Sequence, residues 1–149
     1  MQIDDGYQAD IGDWLSVNEK FPRGMQWLAS EIKSAGYIPG IWLAPFLLSE
    51  HSKTLAEHPE FVTRMPDGSP VIANHNWERA NYGLDGSNPA AQEWLEKLFS
   101  HVCDEWGYDY VKDRLLVRCC ARGYTLRPRS HTHFGLSCGA RCRAPWRRT

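Results

Sequence analysis

Hydrophobic rhythm along the chain predicts a small set of elements. After Pro22, residues Met25, Leu28, Ala29 and Ile32 recur at helical spacing while Glu31 and Lys33 point elsewhere, which predicts an amphipathic helix with a proline at its start. Gly36 stands where a left-handed C-terminal cap is wanted. The next stretch, YIPGIWLAPF (37–46), is apolar almost throughout, as in a strand covered on both faces of a parallel sheet. The clearest helix is AAQEWLEKLFSHVCDEW (90–106), led by Asn88-Pro89 as cap and first turn. Ala91, Trp94, Leu95, Leu98, Phe99, Val102 and Trp106 line one of its faces, and Glu93, Glu96 and Lys97 the other. Gly107 ends it, and Tyr108, Tyr110 and Val111 then form a short strand that delivers Lys112 and Asp113 at its far end.

Weaker signals fill the intervals. Gln2 to Asp5 reads as a strand running into paired carboxylates beside Gly6. A solvated turn, a sugar-hydroxyl site and a metal site all suit Asp-Asp-Gly, and the spacing alone does not choose among them. Trp14 lies in a polar loop (10–20), as a packed anchor or a substrate-facing ring. Residues 49–59 predict a short helix ending before Pro59, and 61–76 a turn-rich excursion of the kind that forms lids and binding walls. Tyr82 to Asp85 is a brief strand that could join the others.

Strand, helix and strand in succession make a βαβ unit, so the expected fold class is α/β with parallel strands. In such folds the chemistry sits at the carboxyl ends of the strands. Three strands here end in candidate residues: Asp4 and Asp5, Trp42, and Lys112 with Asp113.

Charge divides the chain in two. Residues 1–113 hold all 18 acidic residues and 8 basic ones, whereas 114–149 hold 9 Arg and no Asp, Glu or Lys. Cys119, Cys120, Cys138 and Cys142 also lie in this back segment, while Cys103 sits near the stripe of the long helix as a small packed residue. The chain is therefore expected to comprise an ordered part, 1–113, and a disordered or non-native Arg/Cys-rich tail, 114–149. Binding of nucleic acid by the tail is disfavoured, because neither stacking aromatics nor an organised basic face is evident. Cys138 and Cys142 with His131 and His133 match no strong zinc spacing. His51, His58, His75 and His101 are scattered in the manner of surface groups. No apolar run approaches the roughly 18 residues of a membrane helix. No cofactor, metal, nucleic-acid or membrane partner is expected; oligomeric state stays open, and the cytoplasm is favoured over secretion.

Taken in order, IDDGYQ, GDW, KFPRGMQWLA, GYIPGIWLAPF, HPEFV, LDGSNPAAQEWL and WGYDYVK resemble consecutive blocks of the catalytic barrel of glycoside hydrolase family 36 α-galactosidases, the melibiases. The resemblance covers about Gln2 to Lys112. It implies part of a (β/α)8 TIM barrel that removes terminal α-galactose with retention of configuration, an eight-stranded barrel needing about 250 residues. By the same resemblance Asp4 and Asp5 bind galactose hydroxyls, Trp42 lines the sugar site and Lys112 contacts the sugar.

The family's nucleophile is the carboxylate two places after that lysine, and Arg114 stands there. Asp113 is one residue early, which in a strand turns a side chain to the opposite face. The family's acid/base carboxylate has no counterpart among the matched blocks. The segment DRLLVRCCA (113–121) can be encoded by GAC CGA CTT CTT GTA CGC TGC TGC GCG. Read one base later, this gives Thr-Asp-Phe-Leu-Tyr-Ala-Ala-Ala, which after Lys112 restores the family's K-x-D-F pattern. The sequence therefore reads as a fragment of an α-galactosidase, inactive as written, with an α-galactoside as its partner and a non-catalytic galactose-binding remnant as the alternative.

Overall fold

The structure is a computed structural model of the 149-residue chain and describes residues 1–76, 79–113 and 136–137. In chain order the elements are β1 (Gln2–Ile3), α1 (Gly24–Ser34), β2 (Gly40–Leu43), β3 (Leu47–Ser49), α2 (Lys53–Glu57), β4 (Ile72–Asn76), β5 (Arg79–Gly83), α3 (Pro89–Ser100), β6 (Tyr110–Asp113) and β7 (Leu136–Ser137). A 3-10 turn, Pro59–Phe61, follows α2, and α3 continues into a π-helical turn, His101–Glu105.

One sheet has the order β1-β2-β6-β7. Its first three strands are parallel, with Ile3 beside Ile41, Ile41 beside Val111, Trp42 beside Lys112 and Leu43 beside Asp113. All four residues of β2 are buried, as its unbroken apolar sequence predicts for a central parallel strand. Gly40 is required there by close approach: a Cβ at this position would stand 2.8 Å from Cδ1 of Tyr110. The crossover helices share the sheet's core. Met25, Ala29 and Ile32 are the buried residues of α1, and Met25 and Ala29 join Ile41, Leu43, Leu98, Val102 and Val111 in one cluster. Helix α1 closes as expected, with Gly36 at φ +82°.

The second sheet departs from the sequence reading. Tyr82 to Asp85 does not add a fourth parallel strand; residues 79–83 form β5, the centre of an antiparallel sheet ordered β3-β5-β4. The stretch 61–76 likewise contains a strand, β4, beyond its turn at Pro66-Asp67-Gly68. Both strands are largely polar (IANHN and RANYG) and lack a sustained apolar alternation, so their own sequence does not mark them as strands. This sheet closes over its own small core of Leu48, Phe61, Val62, Leu84 and Ala91.

Two helix ends show how local chemistry fixes boundaries. The side chain of Asn88 accepts from the Ala90 N–H, with Pro89 in the first turn, as expected. At the other end the expected single helix through Trp106 stops being α-helical after Ser100, and the Trp106 N–H donates to the His101 carbonyl 2.9 Å away. That wider turn leaves Val102 and Trp106 both in the core cluster.

The expected disorder of 114–149 concerns residues that lie, but for two, outside the described ones. Leu136–Ser137 form β7 and pair antiparallel with Tyr110–Val111. Among the described residues no helix is long and apolar enough to cross a membrane.

Asp13 ties the loop after β1 to α2. Its carboxylate accepts from the Lys53 N–H at 3.0 Å, the Thr54 N–H at 2.9 Å and the Thr54 hydroxyl at 2.9 Å, and the residue is buried. Asp13→Ala should cost about 2–3 kcal/mol of stability, because it strands these donors. Urea unfolding checks this, and a change within about 0.5 kcal/mol would contradict the clamp.

Candidate functional site

Parallel register brings three of the sequence-selected residues into one row. Trp42 and Lys112 are direct neighbours on adjacent strands and share a face, since side chains alternate along each strand. Asp4 follows Ile3, the last residue of β1. Strands β1 and β6 lie two strand spacings apart, about 9–10 Å, and the Lys112 side chain crosses that gap: its Nζ stands 3.2 Å from Oδ2 of Asp4. Asp4, Trp42 and Lys112 therefore converge at the carboxyl ends of β1, β2 and β6.

The carboxylate of Asp4 is held in its charged form. The Asp5 N–H donates to Oδ1 at 2.9 Å, and Gln2 Nε2 donates to Oδ2 at 3.1 Å. The Asp5 N–H above all, with the Lys112 ammonium and the Gln2 amide, pushes its pKa below the usual carboxylate range against the opposing effect of burial. Side-chain exposures of 47% for Lys112 and 62% for Asp4 leave the pair open to solvent. An exposed pair of this kind adds little to stability and exchanges partners easily.

Asp5 belongs to the same turn, but its carboxylate is turned to Gln8, whose Nε2 donates to Oδ1 at 2.7 Å. Asn18 Nδ2 straps the turn from behind by donating to the Gly6 carbonyl at 2.7 Å. Trp42 is 7% exposed and meets Trp14 edge to face, ring centroids 5.7 Å apart. Of the two readings open for Trp14, the packed anchor is the one observed: it is 1% exposed, and its Nε1 is buried without a partner among the described residues.

Asp113 does not join the row. It neighbours Leu43, which is fully buried, and alternation along β6 sets it opposite Lys112. Its Oδ1 is buried with no hydrogen-bond partner among the described residues, and burial pushes its pKa from 3.8 up to about 6.

Sequence reasoning missed a second group beside the row. Asp5, Gln8, Asp10, Ser49, Arg79 and Asn81 line an open pocket of about 400 Å³. Arg79 Nη1 lies 3.4 Å from Oδ2 of Asp10, and Asn81 is buried with its Nδ2 donating to Asn74 Oδ1 at 2.9 Å. Arg79 and Asn81 stand two apart on β5, so the period of a strand sets both on one side. That signal was legible once β5 was known to begin at Arg79. Among the described residues no group of three His, Cys, Asp or Glu is placed to hold a metal ion. The candidate zinc set of His131, His133, Cys138 and Cys142 lies outside the described residues.

Fold and site together define an α/β protein whose parallel strands gather a carboxylate, an ammonium and an indole at their carboxyl ends. The chain belongs to the melibiase family, whose model matches residues 2–129. It is 31% identical over 117 residues to an α-galactosidase of Escherichia coli, covering 74% of this chain and 16% of that protein. An α-galactosidase of Pediococcus pentosaceus is 27% identical over the same length. Among solved structures, the Thermus thermophilus α-galactosidase in complex with p-nitrophenyl α-D-galactopyranoside superposes with a TM-score of 0.70 at 44% identity, over 74% of this chain and 23% of that one. The chain thus spans between about a sixth and a quarter of the length of these relatives.

The Asp113 environment predicts a pH dependence. Below pH 3.8 the carboxyl is protonated folded or unfolded; between 3.8 and about 6 the folded state binds more protons, so stability falls as pH rises. Asp113→Asn should therefore stabilise the chain at pH 7 by up to about 3 kcal/mol, less by whatever water still reaches the side chain. The gain should vanish below about pH 4. Thermal melts of both proteins across this range check it.

Proposed function

We propose that this chain is a segment of the (β/α)8 catalytic domain of a retaining α-galactosidase, with Asp4, Asp5, Trp42 and Lys112 as its galactose subsite. The observation that carries the reading is the 3.2 Å contact of Lys112 with Asp4 across β2, at the ends of strands that are neighbours in space and distant in sequence. A polyhydroxylated ring needs acceptors, donors and an apolar face at fixed spacing. Carboxylates accept from hydroxyls, the ammonium donates to them, and an indole edge excludes water beside them. Family membership supports an α-galactoside as the ligand, and the Thermus thermophilus relative was also solved with stachyose.

Binding and turnover are separable in this chain. A retaining glycosidase uses two carboxyl groups roughly 5–5.5 Å apart, one attacking the anomeric carbon and one protonating the leaving oxygen before it activates water. Lys112 and Trp42 cannot attack, and Arg114 occupies the position two residues beyond Lys112. Asp113 points away from the row. On this reading the 149-residue chain holds a galactoside without cleaving it, as a non-catalytic remnant of a hydrolase.

The test is release of p-nitrophenol from p-nitrophenyl α-D-galactopyranoside by the chain purified free of host glycosidases. No release above the uncatalysed rate is expected, and Arg114→Asp alone should not restore it, since no residue is assigned to the acid/base role. Release that disappears in Asp113→Ala would overturn the reading and make Asp113 the nucleophile.

A further inference from the structure

Three independent features break at one point of the chain. The first is the side chain of Asp113. A buried carboxylate is normally built into a network, as Asp13 is with its three donors. Asp113 instead faces the side of the fully buried Leu43, with Oδ1 buried and without a hydrogen-bond partner among the described residues. Burial without a partner costs free energy that no contact among the described residues returns. The second feature is composition. All 18 acidic residues end at Asp113, and the 36 residues beyond carry 9 Arg, four of the five Cys and no acid or Lys. The third is topology. The two preceding crossovers in the first sheet each return a parallel strand, whereas the free edge of β6 is taken by an antiparallel pair of residues, Leu136–Ser137, from the far side of the junction.

We propose that the reading frame encoding this chain slips by one base between Lys112 and Asp113, and that the original frame sets Thr and then Asp after Lys112. The codon arithmetic permits it: DRLLVRCCA read one base later is Thr-Asp-Phe-Leu-Tyr-Ala-Ala-Ala. Each feature then has one cause. Thr is uncharged, smaller than Asp and β-branched, which suits a half-buried strand position beside Leu43. The Asp that follows falls two residues beyond Lys112, on the side of the strand that carries the Asp4 contact. The change of composition at Asp113 then follows from the change of frame. Similarity to individual relatives covers 74% of the chain, about the share that precedes the junction, while the family match continues to residue 129. The inference rests on the functional reading only for the use it gives the restored Asp.

The decisive experiment is to sequence the genomic DNA and its transcript from codon 108 past codon 149 and translate it one base later from codon 113. An open frame is expected through the whole tail, beginning Thr-Asp-Phe, with acidic residues returning and Arg and Cys falling to ordinary levels. A stop codon inside that stretch, or any other residues at the first two positions, would overturn the proposal. A protein readout stands beside it. Asp113→Thr in the 149-residue chain should raise the thermal midpoint at pH 7 and remove its dependence on pH between about 4 and 6, whereas an unchanged or lower midpoint would count against it. If the repaired frame opens as expected but the protein extended in that frame through the whole catalytic domain releases no galactose, the functional reading fails and the frame slip stands.

Discussion

Parallel pairing of β1, β2 and β6 in one register is the constraint on which the rest depends. Two βα crossovers, through α1 and α3, return the chain to the same sheet in the same direction, and the apolar faces of those helices close the core around β2. Register then does chemical work. Because Ile41 neighbours both Ile3 and Val111, the residues one step further along each strand come level: Asp4, Trp42 and Lys112. A shift of one residue in β6 would turn Lys112 away and present Val111 and Asp113 in its place.

The same alternation explains why neighbouring carboxylates have opposite fates. Asp4 stands in the open with three donors around it, so its negative charge is favoured. Asp113, on the other side of the sheet from Lys112, is pressed toward its neutral form by desolvation, with no partner for its Oδ1 among the described residues. The contrast is between two carboxylates at the ends of strands of one sheet, one exposed and bonded, the other buried without a partner among the described residues.

How much of this was legible depended on whether a residue's role was local. Helices α1 and α3 and strand β2 follow from apolar periodicity, a proline start or an asparagine cap, and a glycine stop, all contained in the sequence of each element. Asp4, Trp42 and Lys112 were legible as residues at strand ends, and the parallel register brings them together. The antiparallel sheet was not legible. Its strands IANHN and RANYG carry little apolar pattern and exist because β5 finds partners on both sides, Leu47–Ser49 and Ile72–Asn76. With β5 misplaced, the pocket residues Arg79 and Asn81 went unread. The π-helical turn was hidden for another reason, since apolar spacing in Val102 and Trp106 looks the same whether the last turn is tight or wide. Trp14 showed its residue type but not its surroundings, and only packing against Trp42 decides between anchor and ligand contact.

Site-resolved binding tests the central claim most directly. Titration of the isotopically labelled chain with methyl α-D-galactopyranoside, followed by NMR, should move the resonances of Asp4, Asp5, the Trp42 indole and Lys112 together and saturably, and Lys112→Ala should remove the response. No saturable change at these four residues, or changes gathered instead at the open groove beside Trp27 and Trp106, would contradict a galactose subsite at the ends of β1, β2 and β6.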